Sequence, residues 1–290
     1  MSGFALDWLR LREGADLAAR SPALARRFAS ALKKRDGAPL RLVDLGAGSG
    51  ANCRAVMPRI AGNQEWILVD QDRALIAAQG DEFSLWARRQ GLPILAGGNR
   101  ITITPPGQEW RIESLPFDLS SGLGHAAPND VDGFTAAAFF DLVSTDWVEG
   151  FAAELGAMRV PLLAALNVDG RRLWEPLLDE DAIIAAAFAQ HQTRDKGFGT
   201  SLGGDAPRAM EAAFTANGFT VEKIKSDWQL GSRDSALIDA LIGGEANAAR
   251  EASPAHHDVI ARWESQRRAQ LANGSLRLTI GHCDLLAIPT

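Results

Sequence analysis

Val43-Asp44-Leu45-Gly46-Ala47-Gly48-Ser49-Gly50 is the stretch from which the rest of the chain is best read. It closes a short apolar run beginning at Leu40, and the residues from Ala51 to Ile60 after it carry helical character, so the local pattern is strand, glycine turn, helix. Positions without a side chain let backbone pass close to a ligand, and the helix that follows presents unpaired N–H groups and its positive dipole end. A nucleotide-like ligand suits such a turn. Gly46-x-Gly48-x-x-Ala51 also satisfies the dinucleotide fingerprint, so the glycines alone leave the ligand's identity open.

Outward from the turn, strands and helices alternate. The run Trp66 to Val69 reads as a second strand ending at Asp70, and helical character resumes from Arg73 to Gln90, with Asp72 as its cap. Ile101 to Thr104 and Trp110 to Phe117, joined through Pro105-Pro106-Gly107, predict a hairpin feeding Asp118. Further strands are expected at Val131 to Ala136, at Leu162 to Val168 ending in Asp169-Gly170, at Phe219 to Lys225 and at Leu276 to Ile288. Helices are expected at Ala138 to Glu154, Asp181 to Gln190 and Pro207 to Asn217, with a Gly-rich polar loop from His191 to Asp205. Two helices between Phe4 and Lys34, parted at Ser21-Pro22, precede the first strand, and a helical insertion from Asp234 to Asn273 precedes the last.

This order predicts an α/β fold: a doubly wound, seven-stranded, mostly parallel sheet with helices on both faces. The domain division that follows is 1–36 as an N-terminal helical lid, 37–230 as the core, 231–273 as the helical insertion and 274–290 as the last core strand. Parallel strands put ligands at their carboxyl ends, where the glycine turn, Asp70, Asp118 and Asp169 all fall.

Composition narrows the partners. With 290 residues and 46% hydrophobic content the chain can bury a large core, while a net charge of −6 disfavours nucleic acid. The densest basic run, Arg26, Arg27, Lys33, Lys34 and Arg35, reads as a solvated helix face. Charges scattered through the first twenty residues argue against a signal peptide or membrane span, and two distant cysteines, Cys53 and Cys283, suit a reducing cytoplasm. His256-His257 and His282-Cys283-Asp284 lack metal-ligand spacing, so no metal is expected. The chain has no tyrosine, and any aromatic surface must come from its 8 Trp and 12 Phe or from His.

The run Asp44-x-Gly46-x-Gly48-x-Gly50 resembles motif I of the class I S-adenosylmethionine-dependent methyltransferases, and Phe117-Asp118-Leu119 resembles a later element of the same family. The resemblance implies a Rossmann-like sheet with an antiparallel last strand. Its implied cofactor is S-adenosyl-L-methionine, with S-adenosyl-L-homocysteine as product. In it, Asp44 orients the turn and the methionine end, Gly46, Ala47, Gly48 and Gly50 form the cradle, Asp70 and Gln71 meet the ribose, and Asp118 and Leu119 hold the adenine. Thr135 to Leu142 resembles the fourth motif, with Phe139-Phe140-Asp141 where many small-molecule members carry a histidine-rich or Asn-Pro-Pro sequence.

Methyl transfer to a small molecule asks chiefly for alignment and exclusion of water, and a carboxylate or histidine near the mouth can take the acceptor's proton. The candidates are Asp146, Asp141 and His191, with Asp169 behind them. The acceptor atom, whether O, N, S or C, and the oligomeric state stay open at this point. So do two competing readings: an NAD(P)-dependent oxidoreductase, which uses the same turn, and a protein that binds S-adenosylmethionine without methylating.

Overall fold

The computed structural model describes residues 5–33, 37–126, 128 and 130–290. Phe4, Lys34 and Arg35, and with them both ends of the segment 1–36, lie outside the described residues. The helices are α1 Leu6–Ala19, α2 Pro22–Ala31, α3 Ala51–Val56, α4 Arg73–Gln90, α5 Thr145–Met158, α6 Asp181–Gln192, α7 Ala206–Ala216, α8 Ser235–Ala252 and α9 His257–Ala272. The strands are β1 Leu40–Leu45, β2 Gln64–Asp70, β3 Ile94–Gly97, β4 Arg100–Ile103, β5 Trp110–Pro116, β6 Gly133–Ala137, β7 Leu162–Glu175, β8 Phe219–Lys225, β9 Trp228–Leu230 and β10 Arg277–Pro289.

All of these strands join one sheet in the order β3-β4-β5-β2-β1-β6-β7-β10-β8, with β9 paired to β10. The segment β5-β2-β1-β6-β7 is parallel throughout, and β10 runs antiparallel to both β7 and β8. The expected seven-stranded core with an antiparallel last strand is therefore present, extended by a β3-β4 hairpin at one edge and by β9 at the other end. Alternation along β1 explains the two layers. Val43 and Leu45 enter a core with α5 and α7, while Leu40 and Leu42 face a second core with α2, α3 and α4.

Three local expectations need correction. The helix expected from Ala138 begins only at Thr145, because Ala138 holds a φ of 50° that no right-handed helix accommodates, and Ser144 caps α5 by accepting from the Trp147 N–H. Asp169-Gly170 is a bulge inside β7 and not its end. Gly170 (φ 82°) kinks the strand opposite a register shift between Ile280 and His282 of β10, and pairing resumes through Glu175. The strands β3 and β9 are additional to those expected; both are short, at the sheet's margins, and carry too few alternating residues to register as a period.

The extension of β7 and β10 past the bulge builds a third core. Trp174 of β7, Ile184 of α6, Trp228 of β9, Ile238 and Ile242 of α8, Trp263 of α9 and Ile280 of β10 pack together there. The helical insertion thus shares its interior with α6 and with the far halves of two core strands, above the carboxyl end of the sheet. Arg267 is buried at its centre, donating to Asp181 and stacking over Trp174 and Trp263. Among the described residues no helix is long and apolar enough to cross a membrane.

Candidate active site

The glycine turn leaves β1 at the carboxyl edge of the sheet, and each of its glycines has a reason. Gly46, Gly48 and Gly50 adopt φ values of 59°, 53° and 82°, a region costly for any residue with a Cβ. Space is also lacking: a Cβ at Gly46 would stand 2.6 Å from the Phe139 ring, and one at Gly50 would stand 2.5 Å from Phe83.

The turn is held by its own polar groups. The N–H of Ala47 donates to Val69 O (3.0 Å), that of Gly50 to Ala47 O (2.8 Å), and that of Gly48 to Asp70 Oδ2 (2.7 Å). Gln79 of α4 donates to Gly48 O at 2.7 Å, and its own carbonyl accepts from Ser114. Asp70, at the end of β2, also accepts from the Asp72 N–H at 2.8 Å through Oδ1, and Asp72 caps α4 as expected. Burial raises the Asp70 pKa against the pull of these N–H donors.

Asp44 lies beneath the turn and is fully buried. Its Oδ1 accepts from Thr135 Oγ1 (2.7 Å) and from Asn52 Nδ2 (2.5 Å), and Asn52 accepts in turn from Arg20 (2.7 Å). Its Oδ2 is buried with no hydrogen-bond partner. Burial pushes the Asp44 carboxyl up to about 6, with Thr135 and Asn52 opposing the shift. Asn52 was not singled out from sequence, and Thr135 entered only as the first residue of the fourth-motif stretch. The available signal was a polar residue on the buried face of a helix start and a lone Thr in the otherwise apolar Gly133 to Ala137 run.

The other sequence candidates are distributed as follows. Asp118 is exposed and caps a short turn by accepting from the Ser120 N–H (2.9 Å). Leu119 is buried, and its carbonyl accepts from Trp147 Nε1 at 2.6 Å. Gln71 is exposed next to Asp70. Asp146 is exposed in the first turn of α5, where a carboxylate complements the helix dipole by about 0.3–1 kcal/mol. His191 closes α6 and meets Glu251 of α8 at 3.3 Å, among the insertion's helices. Asp169 pairs with Arg171, which also binds Asp227.

Asp141 differs from these. It is buried in the loop after β6, its Oδ1 has no hydrogen-bond partner, and burial raises its pKa, with Lys196 the leading opposing charge. Beside it, Phe139 lies over Gly46 and packs edge-on against Trp147 and Phe198. Phe198 and Lys196 come from the loop after α6, which is tied to the Asp141 loop by Leu202 N–H to Val143 O (2.9 Å), Gly203 N–H to Asp141 O (3.0 Å) and Ser201 Oγ to Leu142 O (3.0 Å).

Helix α1 covers the turn from the other side. Leu9 lies 3.3 Å from where a Gly48 Cβ would be, and Arg10–Glu82 (2.6 Å) and Glu13–Arg54 (2.8 Å) tie the helix to α4 and α3. No residue of α1 is buried. Trp8, Ala15 and Ala19 also pack against the third core, and Asp16 accepts from Trp228 Nε1 at 3.1 Å, so α1 joins the helices around the turn to the extended end of the sheet.

Comparison with known proteins gives a likeness of fold. A cyclopropane synthase of Mycobacterium tuberculosis aligns over 97% of this chain and 94% of its own at 12% identity, with a TM-score of 0.47. An S-adenosylmethionine-dependent methyltransferase from Geobacter sulfurreducens, solved with S-adenosyl-L-homocysteine, aligns over 100% of both chains at 15% identity and a TM-score of 0.43. A corresponding enzyme from Thiobacillus denitrificans, with the same ligand, aligns over 98% of both chains at 14% identity and a TM-score of 0.42. No family model matches the sequence, and no curated protein does.

Proposed function

We propose that this chain binds S-adenosyl-L-methionine at the glycine turn and passes its methyl group to a small-molecule nucleophile, leaving S-adenosyl-L-homocysteine. The observation that carries this reading is that the N–H groups of Ala47, Gly48 and Gly50 are already paired within the protein. A pyrophosphate cradle needs such donors aimed at the anion. In the turn itself these three are taken, leaving the first N–H groups of α3, and two carboxylates, Asp44 and Asp70, flank the turn. That arrangement repels a dinucleotide's diphosphate and suits a cofactor bearing an ammonium and a sulfonium.

The residues fit this ligand. Asp44 Oδ2 is an orphaned buried acceptor for the methionine ammonium. Asp70 retains lone pairs beyond those used by Gly48 and Asp72 for ribose hydroxyls, with Gln71 beside it. Phe117 and Leu119 offer apolar surface for the adenine, and Asp118 an acceptor for its amino group. Leu9 of α1 stands over Gly48, and in this reading α1 is the lid.

The cofactor supplies a methyl group made electrophilic by its sulfonium. The protein's part is to hold the acceptor, exclude water and receive a proton. Among Asp141, Asp146 and His191, Asp141 is the candidate beside Phe139 and the turn, and its unpartnered Oδ1 is an acceptor for the nucleophile's N–H or O–H. Asp146→Asn is expected to leave S-adenosylhomocysteine affinity unchanged within about twofold and to shift stability by less than about 1 kcal/mol, checked by calorimetry and urea unfolding. Buried free thiols at Cys53 and Cys283 are in keeping with a cytoplasmic setting.

Calorimetric titration with S-adenosylmethionine, S-adenosylhomocysteine and NAD(H) tests the cofactor. The adenosylated sulfur compounds are expected to bind and NAD(H) not to. Asp70→Ala should weaken them about 10–100-fold, the usual loss for a hydrogen bond to a charged group in a site it also shapes. Binding of NAD(H) alone would overturn the assignment.

A further inference from the structure

Asp141 and Lys196 stand on two loops that are tied together, with Phe139 and Phe198, each two residues away from one of them, in edge-on contact. Three hydrogen bonds tie residues 201–203 to 141–143, and Asp195 Oδ1 accepts from the N–H groups of Gly197 (2.7 Å) and Gly199 (3.0 Å), which stiffens the loop carrying Lys196. The two charges sense each other, yet no ion pair within 4.0 Å joins them. Each is underused. Asp141 Oδ1 is buried without a partner, and half-buried Lys196 donates to Gln192 O at 3.0 Å, leaving the other donors of its ammonium unassigned. Removing polar groups from water without pairing them is costly, and the ties between the two loops hold these groups in place. A site of this kind is complementary to a ligand with the reverse polarity: an anionic end for the lysine and a hydrogen-bond donor for the carboxylate. Phe139, Trp147 and Phe198 add apolar surface beside the two loops.

We propose that Asp141 and Lys196 form a two-point acceptor subsite for a small amino or hydroxy carboxylic acid, its carboxylate on Lys196 and its nucleophilic N–H or O–H on Asp141 Oδ1. This rests on the methyl-transfer reading for the role of the bound acid as acceptor, but not for its binding. Lys196 acts as a positioning residue, since it touches the end of the acceptor that does not react. The polar loop after α6 thereby becomes the element that selects the substrate class.

The test is binding to the purified full-length protein of glycine, N-methylglycine, 3-hydroxypropanoate, 2-aminobenzoate and 2-hydroxybenzoate, each beside its methyl ester, with and without saturating S-adenosylhomocysteine. At least one acid is expected to bind about tenfold or more tighter than its ester, the scale of one charge-assisted contact. Lys196→Met should erase that preference, Lys196→Arg should retain it, and both variants should keep the wild-type affinity for S-adenosylhomocysteine and the wild-type urea midpoint. Acids and esters binding alike, no acid binding while S-adenosylhomocysteine does, or a preference that survives Lys196→Met would each overturn the subsite. If S-adenosylhomocysteine fails to bind while the acid preference persists, the cofactor reading falls and the subsite stands.

Discussion

Asp44→Asn is expected to make the protein more stable at pH 7 and a much poorer binder of S-adenosylhomocysteine and S-adenosylmethionine. The Asp44 carboxyl sits at about 6 in the folded protein, against 3.8 for the ordinary side chain, because burial disfavours its charge. Between those two values the folded chain binds more protons than the unfolded one, so the contribution of Asp44 to stability is present below pH 3.8 and is lost as pH rises through 6. A shift of that size corresponds to about 3 kcal/mol. The amide introduced by Asp44→Asn keeps an acceptor for Thr135 and Asn52 but buries an unpaired NH₂, which returns about 1–3 kcal/mol of the gain. The net effect at pH 7 is a gain of about 0–2 kcal/mol by urea unfolding, shrinking toward zero or reversing at about pH 4.5.

The same substitution removes the charge proposed to meet the methionine ammonium, a loss of about 1.5–3 kcal/mol or about 10–100-fold in affinity. Wild-type affinity should also fall as pH drops below about 6, where Asp44 is protonated before binding. Unchanged affinity in Asp44→Asn with increased stability would leave Asp44 as a structural carboxylate and remove it from the cofactor site.

Gly50→Ala is the second large effect, and it falls on folding. At φ 82° a Cβ costs about 1–2 kcal/mol in backbone strain alone. That Cβ would also stand 2.5 Å from Phe83 Cε2 and 3.1 Å from its Cζ, and Phe83 is fully buried beneath Arg54 in a close-packed interior. Overpacking of this kind adds about 1–3 kcal/mol. The sum, about 2–5 kcal/mol, is a large part of the roughly 5–15 kcal/mol typical of a domain. Gly62→Ala separates the two terms, because Gly62 has a φ of 99° with nothing within 4 Å of the added Cβ. Its loss should be strain alone, and equal urea midpoints for the two variants would show that Phe83 yields.

The core of the fold was legible because it is written locally. Apolar runs of strand length, turn residues after each, and helix periods between them are properties of neighbouring residues, and they point to a mostly parallel sheet and to the place of the glycine turn. Where long-range geometry overrode local pattern, reading failed. Asp169-Gly170 has the chemistry of a turn, yet β10 supplies a partner on the far side of the bulge and the strand continues. Ala138 to Val143 has the composition of a helix, but Phe139, Phe140 and Val143 are drawn into the core around Trp147 and the backbone is bent to seat them.

The site divides in the same way. Asp44, the three glycines and Asp70 fall at the carboxyl ends of two successive strands in sequence, and because those strands pair in parallel the Gly48 N–H reaches Asp70. Which of two neighbouring carboxylates is buried was decided only by tertiary structure. Asp141 and Asp146 are near neighbours and alike in sequence, yet the loop after α6 covers the first and leaves the second in solvent. The ties between the Asp141 loop and residues 201–203, the shelter of Asp44 by Thr135, and the sharing of one core by β7, α6, α8 and β10 all join residues distant in sequence. Burial and orphaned hydrogen-bonding capacity are properties of a packed chain, and no local pattern encodes them.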